Sequence, residues 1–358
     1  MNNSLQSRTA PNRNLDFDIL RIVSILAVIF LHVAAESWHR ATPSLGWEVR
    51  NIYDAAVRWG VPVFVMISGS LFLDSRKHVE IGKLYKKNIS RIVIAYFFWA
   101  IVYQLYKSIG KDCSIGWFVG EVFEGCVHLW FLKMLVGLYI AIPILRVVVS
   151  DKRTEEYFLI VAFVTSFLIP LVFPLIGHVN MNLQNIMQTF YEKLSIKIAA
   201  GFTGYFVLGH YLTNYPLNRR QKSVTVVLAL LSYVLVVIMT SCSFHLTGVP
   251  HEKFYGNLTP FTMFEAVAVF SISNGVGCKK FVVKNQSLVL RLSKWSFGVY
   301  LIHILVKYVL RDYAGFGSYS FNSVVSVPVM TLLVFVLSNL IVWLFNIIIP
   351  RVIRDKVM

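Results

Sequence analysis

The chain has 358 residues, of which 56% are hydrophobic and only 15% are charged, and its mean hydropathy is +0.64. A soluble domain needs more charge to cover its surface, so the composition excludes a soluble globular protein and indicates a polytopic membrane protein. The net charge is +16, from 34 Lys and Arg against 18 Asp and Glu. In a soluble protein this excess would suggest nucleic-acid binding. In a membrane protein, Lys-rich and Arg-rich cytoplasmic loops explain it, and no nucleic-acid partner is expected.

Apolar segments recur along the whole chain at lengths close to those of membrane spans. If the N-terminus is cytoplasmic, the segments on that side carry 22 of the 34 Lys and Arg, and the segments on the other side carry 10. The positive-inside rule therefore predicts an all-α integral membrane protein, a single bundle of about ten transmembrane helices with both termini in the cytoplasm. The predicted spans lie near residues 17–36, 52–73, 89–109, 128–149, 157–177, 198–213, 223–244, 259–276, 295–313 and 324–349.

The first predicted helix carries ionisable residues that lipid disfavours. Arg21 and His32 are 11 residues apart, close to three full turns, so they share one helix face about 16 Å apart along the axis. Asp18 and Glu36 have the spacing of the same face. Ionisable residues inside a membrane normally face the protein interior or a wet cavity and indicate function. The alternative is structural, with Asp18 and Arg21 as an interfacial ion pair and His32 as a buried hydrogen-bonding residue.

Three later stretches accompany this pair in order: "VPVFVMISGSLF" at 61–72, "HLWFL" at 128–132 and "WSFGVYLIH" at 295–303. An arginine, ten intervening residues and a histidine, followed by these stretches, resemble the membrane acyltransferase-3 family. The resemblance implies a single transmembrane domain over residues 1–358 in a bacterial cytoplasmic membrane. It further implies an O-acetyltransferase that uses cytoplasmic acetyl-CoA as co-substrate and acetylates a hydroxyl of a cell-surface or lipid-linked saccharide.

The resemblance also implies roles for the first helix. His32 is the predicted catalytic residue, either as the base that takes a proton from a sugar hydroxyl or as a covalent acyl acceptor. Arg21 is its predicted partner, which binds a CoA phosphate or polarises the donor. The spacing of Glu36, one turn beyond His32, suggests that it accepts the other imidazole N–H and fixes the tautomer. The alternative for Glu36 is an ordinary interfacial acid.

A basic cluster begins the third predicted span, at the cytoplasmic side. Arg91 is the first candidate for binding the phosphates of CoA, with Lys87 beside it; the alternative is a topology signal that contacts anionic lipid. Ser68 is a further candidate for the donor site. The adjacent Gly69 permits close backbone approach by another helix or by a ligand.

Three residues of the matched stretches are predicted to bind the acceptor. His128 begins the fourth span from outside, so it can approach the outer end of a cavity that contains His32. Trp130 could stack on a sugar ring, although Trp at an interface is usually a membrane anchor. His303 lies in the middle of the ninth span, where a structural hydrogen bond is as plausible as a site role.

Other functions have less support. The four cysteines have no paired spacing and no His partner at metal-ligand spacing, so no metal site is predicted.

An alternative function of another class is a transporter or flippase of a small solute or lipid-linked sugar, with His32, Glu265 and Lys133 as a proton relay. A second alternative keeps the fold and uses another acyl-CoA, such as succinyl-CoA. The sequence leaves the acyl group, the acceptor and the oligomeric state open.

Overall fold

The structure is a computed structural model that describes residues 14–38, 42–196, 201–273 and 285–358. These residues form helices and their connections, without a β-strand among them. Two π-helical segments, Leu84–Ile89 and Phe163–Leu168, continue α4 into α5 and α8 into α9. In chain order the helices are α1 Leu15–Ala34, α2 Leu45–Ala55, α3 Gly60–Phe72, α4 Ile81–Lys83, α5 Ser90–Ser108, α6 Ile115–Glu124, α7 Trp130–Val148, α8 Lys152–Ala162, α9 Ile169–Val179, α10 Met181–Lys193, α11 Thr203–Asn214, α12 Arg219–Thr247, α13 Pro260–Ser273, α14 Gln286–Ala314, α15 Ser323–Ile348 and α16 Arg351–Val357.

Within the described residues, eight helical stretches are long and apolar enough to cross a membrane, and each corresponds to a predicted span. The predicted all-α membrane class is confirmed. The other two predicted spans, 198–213 and 259–276, correspond to α11 and α13, and their residues 198–200 and 274–276 lie outside the described part. α11 has 12 residues and α13 has 14. They are therefore roughly 18–21 Å long, shorter than a hydrocarbon core of about 30 Å. The eight stretches are Leu15–Ala34, Leu45–Phe72, Ile81–Ser108, Trp130–Val148, Lys152–Phe173, Arg219–Thr247, Gln286–Ala314 and Ser323–Ile348.

Helix α1 lies at the centre of the bundle and packs against α3, α14 and α15. The side chain of Asn14 caps its first turn by accepting a hydrogen bond from the N–H of Asp16 at 3.0 Å. Part of α1 is enclosed by these helices, with Ile29 and Val33 at most 1% exposed, whereas Val23 is 42% exposed. Asp18 on the polar stripe is 1% exposed, so this part of the stripe faces protein rather than lipid.

Helices α3 and α11 cross at direct backbone contact through two glycines. A Cβ atom on Gly69 would lie 1.7 Å from the main-chain oxygen of Phe206, and one on Gly209 would lie 2.0 Å from that of Met66. The hydroxyl of Ser70 crosses the same contact and donates to the main-chain oxygen of Gly209 at 2.7 Å. Of the two alternatives for Gly69, the structure shows approach by another helix.

The connection between α3 and α4 is held by one guanidinium. Arg146 on α7 donates to the main-chain oxygens of Phe72, Asp74 and Lys77 at 2.9, 3.0 and 2.7 Å. The last carbonyl groups of a helix lack hydrogen-bond donors within that helix, and Arg146 supplies a donor to one of them, the main-chain oxygen of Phe72 at the end of α3. Arg146 thereby fixes the connection that leads into the π-helical segment Leu84–Ile89, which contains Lys86 and Lys87 of the basic cluster.

Candidate functional site

Three histidines from distant parts of the chain meet inside the bundle. His32 is in the last turn of α1, His128 lies two residues before α7, and His303 is in the middle of α14. Their ring centroids are separated by 5.3 Å between His32 and His303, 5.2 Å between His128 and His303, and 6.4 Å between His32 and His128. His128 and His303 are each 1% exposed, and His32 is half-buried. We call these residues the histidine cluster.

The hydrogen bonds around His303 define its tautomer. Its Nδ1 lies 2.6 Å from the main-chain oxygen of Tyr300. A carbonyl oxygen can only accept, so Nδ1 carries the proton and, in the neutral ring, Nε2 has the free lone pair. Within the described residues Nε2 of His303 and both ring nitrogens of His128 are buried without a hydrogen-bond partner. Such groups are rare in protein interiors, so the cluster is equipped to bind a polar ligand.

Neighbouring side chains hold the cluster in place. The Tyr300 hydroxyl donates to the main-chain oxygen of His128. The ring of Tyr103 lies 5.0 Å from that of His128, and its hydroxyl donates to the main-chain oxygen of Leu301 at 2.8 Å. Lys307 is 8% exposed, and its Nζ donates to the main-chain oxygen of His32 at 2.9 Å. An ammonium at the end of α1 complements the negative end of the helix dipole.

The cluster is not arranged as a metal site. Over the described part of the chain, no set of three or more His, Cys, Asp or Glu side chains is placed to hold a metal ion. The chemistry open to the cluster is therefore hydrogen bonding and proton transfer by imidazole.

An inner cavity of about 360 Å³ leads toward the cluster, and Arg21, Ser68 and Arg91 line it together. Along α14 the lining runs from Ser293 to Tyr300, roughly 10 Å of helix. Tyr300 lies at the boundary with the cluster, because its ring centroid is 5.4 Å from His128 and 5.8 Å from His303. Three residues predicted to bind the donor thus share one cavity that ends beside the histidines.

Arg21 is anchored at the wall of this cavity by Asp18. Its Nη1 lies 3.4 Å from Oδ1 of Asp18, which is 1% exposed and also accepts a hydrogen bond from Ser293 at 2.5 Å. The ion pair considered as a structural alternative therefore forms. It holds the guanidinium in the cavity wall, so the structural and functional interpretations of Arg21 are compatible.

A second, larger recess adjoins the inner cavity; we call it the basic groove. Its volume is about 550 Å³, and Lys87, the fourth donor candidate, lines it. Asn88, Arg91 and Lys294 line both the basic groove and the inner cavity. The two volumes therefore meet at these side chains. By the positive-inside prediction, this end of the bundle faces the cytoplasm.

Two sequence candidates lie elsewhere. The ring of Trp130 packs on Phe202 at 5.4 Å and on Phe131 at 6.3 Å, outside the histidine cluster. Glu36 does not bind the imidazole of His32: its Oε2 accepts hydrogen bonds from the N–H and hydroxyl of Ser318 at 2.9 and 2.8 Å. The expected hydrogen bond to His32 is absent because α1 ends at Ala34. Glu36 lies in the following turn, where the four-residue helical spacing no longer applies.

We expect Glu36→Ala to lower stability without moving the pH dependence of turnover. The substitution leaves the buried N–H and hydroxyl of Ser318, which is 0% exposed, without their acceptor, and such a loss costs about 1–3 kcal/mol. Thermal unfolding and a pH–rate profile of the purified protein check this. Glu36→Gln, which keeps one acceptor oxygen, serves as the milder control. A shifted pH–rate profile in either variant would instead support the orienting role.

The charged residues of the transporter alternative do not come together. Lys133 is exposed and donates to the main-chain oxygen of Glu124 at 3.0 Å. Glu265 is 7% exposed, and its Oε2 has no hydrogen-bond partner among the described residues. Within the described residues, the two side chains do not pair with each other, and neither forms a hydrogen bond or an ion pair with His32.

A second set of buried polar side chains lies where α2 joins α3. Arg58 forms an ion pair with Asp54, which is 0% exposed, and its guanidinium lies 4.6 Å from the ring centroid of Tyr255. Burial raises the pKa of the Tyr255 hydroxyl, which donates to Asn51. In the described part of the chain, Oδ1 of Asp54 and Nε of Arg58 have no hydrogen-bond partner. These atoms are available to a polar ligand.

Sequence reasoning missed Tyr300, Tyr103 and Lys307. Tyr300 precedes His303 by three residues within a quoted stretch, so helical spacing could have identified it. Lys307 follows His303 by four residues, but the count of Lys and Arg includes it only as one of the ten cations of the outer segments. Tyr103 has no sequence signal, because its contacts with Leu301 and Leu305 depend on how α5 packs beside α14.

Residues 14–346 match the family model described as an acyltransferase domain. The match includes every residue of the histidine cluster and of the inner cavity, and it ends before α16. No curated protein and no solved structure matches the chain significantly.

Proposed function

The chain belongs to the acyltransferase-3 family, and from this premise we propose that it transfers an acetyl group from cytoplasmic acetyl-CoA to a hydroxyl of a cell-surface or lipid-linked saccharide. The family match and the apolar helices make the chain a multi-pass membrane acyltransferase. A bacterial cytoplasmic membrane is the proposed location.

One observation supports the proposal: the inner cavity extends from a cationic entrance to Tyr300, whose ring lies beside two histidines of the cluster. Its lining includes Arg91 and Lys294 at the junction with the basic groove and Tyr300 beside His128 and His303. A donor with an anionic nucleotide, a long thin arm and a terminal thioester fits this arrangement, with the nucleotide at the cationic entrance and the thioester near the histidines. Lys and Arg suit phosphate, and buried imidazoles suit proton transfer at the thioester.

In the proposed reaction, His32 removes the proton from the acceptor hydroxyl, and the oxygen forms a bond to the thioester carbonyl carbon. The C–S bond then breaks, and His32 returns the proton to the sulfur, which yields an O-acetyl ester and CoA with a free thiol. Nε2 of His303 has a lone pair that can accept a hydrogen bond from the hydroxyl or from His32. An N–H of His128 can donate to the developing oxyanion. Covalent acetylation of His32 is the variant mechanism.

The acceptor is proposed to approach from the opposite end of the bundle, so that acetyl groups cross most of the bilayer inside the protein. Unpartnered buried atoms of Asp54, Arg58 and Glu265 are suited to sugar hydroxyls. Trp130 remains a candidate for stacking on a sugar ring, although it packs on Phe202 in the structure.

The decisive assay uses oriented membrane vesicles and acetyl-CoA labelled in the acetyl group. The proposal expects label in an extractable glycan or glycolipid pool together with an equal amount of free CoA thiol. Succinyl-CoA, tested in parallel, decides between donors. Solute or lipid-linked sugar movement without thiol release would contradict the proposal and favour the transporter alternative.

We expect Arg21→Ala to raise the KM for acetyl-CoA by about tenfold or more, the effect of losing a charge-assisted hydrogen bond to the donor. Arg21→Lys keeps a cation beside Asp18 and separates loss of the ion pair from loss of the planar donor group. Arg153→Ala, which removes an exposed arginine that does not line the cavity, is the matched control. Unchanged donor binding and turnover in Arg21→Ala would exclude a role in donor binding.

A further inference from the structure

The basic groove is strongly cationic. Among the described residues that line it, seven carry Lys or Arg side chains and one, Asp355, carries an acidic side chain. Three of the cations, Arg351, Arg354 and Lys356, come from α16 and its immediate surroundings. Helix α16 lies beyond the residues that match the family model, so the family match says nothing about it.

Helix α16 is fixed in place rather than loosely attached. Nε1 of Trp99 donates to the main-chain oxygen of Val357 at 2.9 Å, and Arg91 donates to that of Met358. Val357 is 8% exposed and packs into the main core. These contacts hold α16 against α5, so its basic side chains line the same groove as Arg91.

The cations of α16 form only weak or few interactions with other protein groups. Arg351 and Asp355 form an exposed pair at 3.3 Å, with 83% and 57% of their side chains exposed. Exposed pairs of this kind contribute little to stability, so a phosphate can displace the carboxylate at little cost. Arg354 differs, because its Nη1 donates to the main-chain oxygen of Asn346 at 3.0 Å and the side chain is 17% exposed. Arg351 and Lys356 are therefore the side chains most available to a ligand.

The positions of the cations along the basic groove and the inner cavity indicate which phosphate group of a bound donor each set of cations contacts. Arg91 and Lys294 lie at the junction with the inner cavity, where the arm of a bound donor would begin. The α16 cations line the basic groove but not the inner cavity, so they lie further from the histidine cluster than Arg91 and Lys294 do. A nucleotide with an internal diphosphate and a separate phosphate monoester on its ribose matches this order, with the diphosphate at the junction and the monoester at α16. The monoester carries about −1.5 to −2 charges at neutral pH, which favours a cluster of several cations.

We propose that α16 recognises the ribose phosphate monoester of the acyl donor and thereby discriminates CoA thioesters from their dephospho forms. This inference rests on the proposed use of acetyl-CoA. The recognition group is a phosphate monoester dianion, and a membrane lipid with a monoester headgroup has the same chemistry. The experiment must therefore separate a soluble nucleotide from a lipid.

The test compares acetyl-CoA with acetyl-dephospho-CoA as donors for the purified protein in zwitterionic nanodiscs, with the extracted glycan or glycolipid pool supplied as acceptor and the ionic strength held constant. The variant is Arg351→Gln with Lys356→Gln, because both side chains are exposed and their loss leaves the core unchanged. The control is Arg219→Gln with Arg220→Gln, which removes the same charge from the exposed start of α12, outside the groove lining.

The unmodified protein and the control are expected to prefer acetyl-CoA by about tenfold or more in kcat/KM, the effect of one or two charge-assisted hydrogen bonds. The α16 variant is expected to lose that preference through a higher KM for acetyl-CoA, with kcat retained. An unchanged preference in the α16 variant would overturn the inference and leave the proposed function standing. If the unmodified protein consumes neither thioester, the proposed function fails, and this inference fails with it.

A second arm measures association with vesicles that contain phosphatidic acid. If the α16 variant loses this association while its donor preference is unchanged, the groove binds a lipid headgroup instead of the nucleotide. Loss of donor preference with unchanged vesicle association supports nucleotide recognition.

Discussion

Replacement of His32 by alanine is expected to lower acyl transfer by about 10²–10⁴-fold, the usual contribution of a positioned proton-transfer group. His32 is the least buried histidine of the cluster, and its ring lies 5.3 Å from that of His303. It is also the only member on α1, the helix that carries Arg21 in the wall of the inner cavity. Removing the ring removes the base, or the acyl acceptor in the covalent variant, and leaves donor binding intact.

The measurement is label transfer to the glycan or glycolipid pool and thiol release in oriented membrane vesicles, with donor binding to the purified protein measured separately. His245→Ala is the matched control, since His245 is an exposed histidine that contacts Glu48 and lies outside the cluster. We expect that control to retain full activity. Transfer that persists in His32→Ala at more than a tenth of the original rate would exclude His32 as base or acyl acceptor. His303 would then be the next candidate, because its Nε2 has a free lone pair.

Gly69→Ala is expected to have the largest effect on stability. The added methyl group would lie 1.7 Å from the main-chain oxygen of Phe206, far inside van der Waals contact. The obstacle is backbone, which cannot rotate away, so α3 and α11 must separate. Forcing extra atoms into a packed contact typically costs about 1–3 kcal/mol, and this contact lies at the severe end. Separation would also break the hydrogen bond from Ser70 to Gly209.

The control for this substitution is Gly137→Ala in α7, where nothing lies within 4 Å of the added atom. Alanine is a better helix former than glycine, so the control should be neutral or slightly stabilising. Thermal unfolding followed by tryptophan fluorescence, together with size-exclusion chromatography in detergent, reports both variants. A Gly69→Ala protein that unfolds at the same temperature as Gly137→Ala would show that the helices do not meet as closely as described.

Composition and periodicity were sufficient for the fold class. A long apolar run has few alternatives to a buried or membrane-spanning helix, because its backbone must satisfy its own hydrogen bonds. In the part of the chain that the structure describes, eight helical stretches therefore match predicted spans. The same reasoning was weakest for α11 and α13, since an apolar run of this length also suits a short helix packed inside protein.

By itself, the sequence determined the membrane class, the continuous helix that holds Arg21 and His32 on one face, and the family. These properties depend on local periodicity and on stretches read in order. Only the tertiary structure decided that His32, His128 and His303 meet, that Glu36 binds Ser318 and that α16 borders the basic groove. Those contacts join residues far apart in the chain or lie beyond a helix end. They depend on how helices pack, and helical spacing carries no information there.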